Sequence, residues 1–341
     1  MTVTQIAELS GVSIGTVDRV LHNRGRVSPE TQQKVQEIIE KFSYQPNILA
    51  QQLRKNNHYR IGLLMPEITA DYGYWQRLYT SIRQTIENEF SAFSFSLVPF
   101  FFTRTVHTSL IAQCNQLLKE NCNAYIIAPV QQEEMLALLE AFPANIPYCF
   151  VDSPLPEASP LFTVAQNPYK AGFLAGRLTE LTATDKNGVY IAIRTHAEAY
   201  NQAERARGFC DWFAKKGKKA VEIIPADTSP AGIVRETEKL LSVFERIAGI
   251  CTVTVETQFV ADCLTKLGRK NDIAVTGFDM IEENLQLLQS GAIDCIISQR
   301  AHEQGQLAVQ KLARNLLYNE KPAEHINIPL EIFFKENVLE A

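Results

Sequence analysis

The chain has 341 residues, 46% of them apolar and 21% charged, which is enough apolar material for two or three compact units. No apolar run reaches the roughly 18 to 20 residues that span a bilayer, and the N-terminus lacks a basic segment followed by an apolar signal core, so no membrane partner is expected and the expected location is the cytoplasm. The formal charge of −5 argues at first against a nucleic-acid partner.

That charge is unevenly spread. Residues 1–58 hold Arg19, Arg24, Arg26, Lys34, Lys41, Arg54 and Lys55 against Glu8, Asp18, Glu30, Glu37 and Glu40, a net of +2 that leaves −7 on the remainder. A small basic head on an acidic body fits DNA contact confined to the head. The cysteines, Cys114, Cys122, Cys149, Cys210, Cys251, Cys263 and Cys295, are odd in number and form no Cys-x-x-Cys pair. They read as buried free thiols.

In the head, apolar Ile6 and Leu9 precede Gly11, and Ser13 stands before a second periodic stretch with Ile14, Val17, Val20 and Leu21. This predicts helix, tight turn, helix, with Gly11 supplying the turn's backbone freedom and Ser13 capping the second helix. A third helix is predicted from Ser28-Pro29, with Val35, Ile38, Ile39 and Phe42 on the face that roofs the other two. The second helix of such a motif enters the major groove, where each base pair shows a distinct donor and acceptor pattern. Outward on it stand Gly15, Thr16, Asp18 and Arg19. Arg19 can fork onto guanine, contact phosphate or simply lie in solvent, Ile14 can touch a thymine methyl or tuck under the third helix, and Asp18 receives no base role. Gly11-Val12-Ser13-Ile14-Gly15 spells a hydrolase nucleophile motif, but that elbow needs a strand before the serine and a helix precedes this one.

From Arg60 onward, short apolar runs alternate with helical patterns: RIGLLMP, SFSLVPFFF, AYIIAPV and YCFVD, then GVYIAI, VEIIPA, AGICTV, DIAVTGFD and DCIISQ. Runs buried on both faces and joined by helices predict parallel sheets, and two series predict two doubly wound subdomains. Ligands of such sheets lie beyond the carboxyl ends of the strands. There stand Asp71, Tyr72, Tyr74, Trp75, Asp152, Asp279 and Gln299. Aromatic faces stack on the C–H surfaces of a sugar while carboxylates and amides meet its hydroxyls. Alternatively, Asp152 and Asp279 cap the helices after their strands and the aromatics simply pack.

The stretch VTQIAELSGVSIGTVDRVLHNRGRVSPETQQKVQEIIEKFSYQPNILAQQLRK resembles the DNA-binding head of the lactose-repressor (LacI/GalR) family almost from end to end. The resemblance implies a transcriptional regulator that reads operator DNA with Thr4, Ser13, Ile14, Gly15, Thr16, Arg19 and Asn23. It also implies a segment after YQPN that becomes helical on the operator, with Asn47, Ala50 and Leu53 at the minor groove. Ile14, Gly15 and Asp18 depart from other members, so operator choice stays open. Residues 60 to 335 resemble the periplasmic sugar-binding fold that the family uses as its effector domain. The landmarks are Val151-Asp152, Arg205-Ala206-Arg207-Gly208-Phe209, Gly277-Phe278-Asp279 and Gln299. The resemblance implies Arg205 and Asp279 as clamps on ligand hydroxyls, with Arg207 a rival to Arg205. Glu256-Thr257-Gln258 stands where an Asn-Asp pair is usual.

The expected organisation is therefore a helix-turn-helix domain over 1–46, a hinge over 47–58, and an effector and dimerisation domain over 59–341 with chain crossings near 165, 280 and 320. The expected function is a regulator, acting as a homodimer or higher oligomer on pseudo-palindromic operator DNA, controlled by a small molecule of the sugar type and needing no cofactor. The alternative is a carbohydrate-active or nucleotide-dependent α/β enzyme. Against it, the sequence has no Gly-x-x-x-x-Gly-Lys-[Ser/Thr], no Gly-x-Gly-x-x-Gly after a strand, and no metal-spaced histidines among His22, His58, His107, His196, His302 and His325.

Overall fold

The computed structural model describes residues 2–21, 25, 27–42 and 58–338. The chain divides into two compact units after Asn57.

The first unit holds α1 (Val3–Ser10), α2 (Ile14–Leu21) and α3 (Pro29–Lys41). Thr2 and Gln5 close a reciprocal capping box on α1, and Gly11 ends that helix at φ 67°. That left-handed conformation suits glycine at a tight turn. Ser13 Oγ accepts from Thr16 N at 3.2 Å, and Ser28 Oγ accepts from Thr31 N at 3.3 Å ahead of Pro29. Ile6, Ala7, Val17 and Val35 form the core, flanked by Val3, Val12, Val20, Leu21, Ile38 and Ile39. Two of the apolar residues that carry the helical pattern fall outside it. Leu9 is exposed, and Phe42, at the C-cap of α3, is 48% exposed with the Lys41 ammonium 5.7 Å from its ring.

The second unit contains two six-stranded sheets. The first takes β1 (Tyr59–Pro66), β2 (Phe95–Phe102), β3 (Ala124–Ile127), β4 (Tyr148–Val151), β5 (Phe162–Ala165) and β11 (His325–Asn327), in the spatial order β11-β5-β4-β3-β1-β2. The second takes β6 (Val189–Ile193), β7 (Ala220–Ile223), β8 (Ile247–Thr252), β9 (Ala274–Phe278), β10 (Cys295–Ser298) and β12 (Glu331–Phe333), in the order β12-β10-β9-β8-β6-β7. Every described pairing is parallel except β10 with β12. The central strands β3, β8 and β9 are buried along their whole length, as parallel strands covered by helices on both faces must be.

Between the strands run α4 (Tyr74–Glu89), α5 (His107–Leu117), α6 (Gln132–Leu139), α7 (Pro168–Thr182), α8 (Tyr200–Ala214), α9 (Pro230–Val243), α10 (Thr257–Lys266), α11 (Glu282–Ser290) and α12 (Ala301–Tyr318). The chain crosses between the two sheets three times, and the expected positions near 280 and 320 need correction. After the first crossing, between Ala165 and Pro168, β9, α11 and β10 all remain with the second sheet, so the second crossing lies between Ser298 and Ala301. From there α12 buries Ala308, Val309, Leu312 and Ala313 in the core of the first half. The third crossing joins β11 to β12, between Asn327 and Glu331. The side-chain amide of Gln166 donates to Ser298 O at 2.8 Å and to Pro329 O at 3.0 Å, tying all three crossings together. All seven cysteines are free, six of them buried.

Helices α7 and α8 approach each other so closely that a Cβ on Gly172 would lie 1.8 Å from the carbonyl oxygen of Arg205, and one on Gly208 would lie 2.1 Å from that of Tyr169. A methyl at either place must push the backbones apart, and overpacking of this kind typically costs about 1–3 kcal/mol. Gly172→Ala is expected to destabilise the protein by at least about 2 kcal/mol, read by denaturant unfolding, because the obstacle is rigid backbone.

Candidate functional site

On the first unit, α2 presents Ile14, Gly15, Asp18 and Arg19 to solvent, with Ser13 and Thr4 also exposed and Thr16 half-buried. Ile14 is 52% exposed, so it does not tuck under α3. Ser13 Oγ and Thr16 Oγ1 lie 2.9 Å apart, so these two hydroxyls organise the start of the helix. Arg19 is thus an exposed fork on the face that a helix-turn-helix offers to a groove. Asn23, Asn47, Ala50 and Leu53 lie outside the described residues.

The second unit encloses a polar cleft between its halves. It is lined by the strand-end residues Asp71, Arg104, Asp152, Thr254, Glu256, Asp279 and Gln299, by Tyr74 and Trp75 of α4, and by Asn201, Gln202 and Arg205 of α8. Asp152 directly follows β4 and Asp279 directly follows β9, at φ 70° and 67°. Asp71 and Tyr72, in the turn after β1, and Arg300, after β10, are also left-handed. Aspartate tolerates this region better than most residues, and a group of such positions around one cleft is strain held by its surroundings.

Many of the buried polar groups bond to one another, although Arg205 Nε, Thr254 Oγ1 and Glu256 Oε2 are buried without a partner. Arg205 donates to Gln299 Oε1 and, at 3.1 Å, to Val253 O, while its guanidinium lies 4.4 Å from the Phe278 ring. Gln299 Nε2 donates to Asp279 Oδ2 at 2.6 Å. Asp152 accepts from the Tyr74 hydroxyl at 2.7 Å and from Asn201 Nδ2 at 3.1 Å, the second bond crossing the cleft. Gln304 of α12 accepts from Asp152 N and donates to Gln299 O, both at 2.8 Å, so one side chain positions two lining loops. Neither aspartate serves as a helix cap: Asp152 bonds across the cleft, and α11 starts after Ile281 with no side-chain cap. Arg205 is the cleft arginine. Arg207 is exposed, paired with Glu204 and stacked 4.3 Å over Tyr169.

Tyr74 and Trp75 line the cavity, whereas Tyr72 does not and packs edge-on against Phe259 at 5.5 Å. Sequence reasoning missed Arg104, Asn201, Gln202 and Thr254. Arg104 and Thr254 stand just after β2 and β8, where the strand-end rule applies equally, and Asn201 precedes Arg205 by one helical turn. Glu256, discounted for departing from the family pattern, is buried in the lining.

Burial raises Asp279 to about 6 against the pull of Arg205, and raises Asp152 as well. Burial and the repulsion of Asp71 lift Glu256 to about 7, while burial and Arg104 lower His196 to about 4, leaving its imidazole neutral near pH 7. The cavity left among these side chains is about 30 Å³. That suffices for about two waters and is too small for a pyranose ring.

Residues 61–321 match the family model described as periplasmic binding protein domain, so fold and cleft together define a binding protein of that class. Residues 2–47 match the model for bacterial regulatory proteins of the lacI family. The chain belongs to the periplasmic-binding-protein domain family, and it carries a lacI-family domain at its N-terminus. It is 24% identical to the ribose operon repressor of Halalkalibacterium halodurans over 339 residues, 98% of this chain and 96% of that protein. It is 47% identical to the sucrose operon repressor of Klebsiella pneumoniae over 77 residues, 22% of this chain and 23% of that relative's length. The solved Lac repressor dimer bound to operator and the anti-inducer ONPF matches in fold, with a TM-score of 0.66 at 19% identity over 97% of each chain. Among the described residues, no helix is long and apolar enough to cross a membrane.

Because Asp279 titrates higher in the fold than in the unfolded chain, its contribution to stability is complete below about pH 4 and is lost as pH rises through about 6. Asp279→Asn keeps an acceptor for Gln299 without a charge. Thermal melts across pH 4 to 7 are expected to show the variant gaining on the wild type up to about pH 6 and holding that margin above it.

Proposed function

We propose that this chain is a sequence-specific DNA-binding regulator, acting in the cytoplasm by binding rather than by turnover, whose operator affinity is set by a polyol of the sugar class held in the cleft. The carrying observation is the buried run Arg205–Gln299–Asp279 beside the Tyr74 and Trp75 rings: a fork of donors, an amide and a carboxylate facing aromatic surface. Such a set exchanges its internal hydrogen bonds for those of ligand hydroxyls while the rings cover C–H faces. The full-length relative and the head-matched relative are both named for sugar operons, ribose and sucrose, which supports the same ligand class.

One head covers too short a site for useful specificity, so the proposed working unit is a homodimer with two heads on two half-sites of pseudo-palindromic operator. Within each head, Arg19 reads a base, and Thr4, Ser13, Ile14, Gly15 and Thr16 complete the contact surface. The proposed boundaries are a head over 1–46, a linker over 47–58 that couples the units, and a ligand and dimerisation domain over 59–341.

Two measurements test the reading. Arg19→Ala is expected to lower operator affinity by roughly 1–3 kcal/mol and to relax preference at one base position per half-site; an equal loss on every DNA sequence would make Arg19 a phosphate contact. In a thermal-shift panel of pentoses, hexoses and their phosphates, a true effector at 100 times its Kd adds about 2.7 kcal/mol to stability. Arg205→Ala is expected to abolish that shift while ligand-free DNA binding persists, and an unchanged shift would remove Arg205 from the site.

A further inference from the structure

The cleft carries a second cluster that recognition of a polyol by Arg205, Gln299 and Asp279 leaves unused. Asp71 reaches it from the first half after β1, and His196 and Glu256 reach it from the second half after β6 and β8. One donor atom from each lies within 4.8 Å of the other two, and Asp71 Oδ1 is 3.9 Å from His196 Nε2. The remaining carboxylate oxygens are largely engaged. Asp71 Oδ2 accepts from the Trp75 indole at 2.7 Å and from Arg104 at 2.6 Å, and Glu256 Oε1 accepts from Thr195 at 3.3 Å. Glu256 Oε2 is different: it is buried without a hydrogen-bond partner, on a side chain only 6% exposed.

A buried carboxylate oxygen without a donor is costly, so this arrangement calls for something positive or hydrogen-bearing. Arg104 is paired with Asp71, which leaves the buried Glu256 carboxyl as the group in need of a partner. The imidazole decides the chemistry. A hydroxyl or ammonium group needs only the carboxylates, whereas one nitrogen and two oxygens drawn from separate strand ends form a donor set suited to first-row transition ions more than to Mg²⁺ or Ca²⁺. The bonds from Trp75, Arg104 and Thr195 are of the kind that orient metal-ligating carboxylates from behind.

We propose that Asp71, His196 and Glu256 bind a divalent transition-metal ion that bridges the two halves of the cleft. Metal–ligand bonds of about 2.0–2.2 Å require the three donor atoms to draw together by side-chain rotation. Three protein ligands leave a coordination position open toward the cavity, where a hydroxyl of a bound polyol can enter. Ion and polyol then strengthen each other's binding by the same factor. This coupling rests on the regulatory reading above, whereas ion binding does not.

The test is a CoCl₂ titration of the full chain, following visible d–d absorption, which reports nitrogen and oxygen ligands, and the near-ultraviolet charge-transfer band that thiolates would produce. One equivalent is expected to bind without the thiolate band. His196→Ala and Glu256→Gln should each weaken binding at least tenfold while melting curves show a retained fold. No saturable binding, a thiolate band, or one equivalent indifferent to both substitutions would overturn the site. So would D-glucosamine binding that requires Asp71 and Glu256 but not His196 in a protein that takes up no Co²⁺, since that marks an ammonium pocket. Sugar thermal shifts and operator titrations without added metal test the regulatory reading separately, and their failure would leave the Co²⁺ result standing.

Discussion

The body is organised around charge held away from water. Asp152, Asp279, Glu256 and Arg205 are each more than nine-tenths buried between two sheets. Removing such ions from water costs several kcal/mol apiece unless hydrogen bonds and opposite charge offset it. Most of the surrounding architecture provides that offset. Arg205, Gln299 and Asp279 form one bonded run, Tyr74, Asp152 and Asn201 another, and Gln304 connects them through the backbone. Asn284 adds bonds to the carbonyls of Val255 at 2.9 Å and Asp279 at 3.1 Å, fixing the loops that carry Glu256 and Asp279. The left-handed backbone at Asp71, Asp152 and Asp279 belongs to the same arrangement: strain at strand ends is tolerated where it aims carboxylates into the cleft.

Packing elsewhere serves that geometry. Gly172 and Gly208 let α7 and α8 approach without intervening side chains, which sets the backbone of Arg205 against α7 and directs its guanidinium inward. Two residues further along, on the opposite face of the helix, Arg207 meets solvent and Tyr169. Periodicity alone places these two arginines on different faces but does not say which face is covered. The close approach through glycine does.

Much of the fold was legible because its signals are local and strong. The caps at Ser13 and Ser28, the turn at Gly11 and the long apolar runs of the two sheets are written in adjacent residues. The second and third crossings were not, because β11 and β12 are three residues each, too short for a period, and because α12 returns to the first core after a strand of the second. The strand-end rule located Asp152, Asp279 and Gln299. Applied to fewer strands than exist, it passed over Arg104 and Thr254. Tyr72 shows the reverse limit: its neighbour in space, Phe259, is far away in sequence, so nothing local distinguishes a residue that lines the cleft from one packed at its edge.

The Gln166 amide holds Ser298 and Pro329, so the three connections between the halves share one anchor beside Ala165. Strands tied at a common point can twist there, but they cannot slide past one another without breaking both bonds. Relative motion of the halves is thereby biased toward rotation about that anchor rather than translation. In a rotation, displacement grows with distance from the axis. A small angular change at the cleft then becomes a larger arc at the far ends of each half, with no other moving part required.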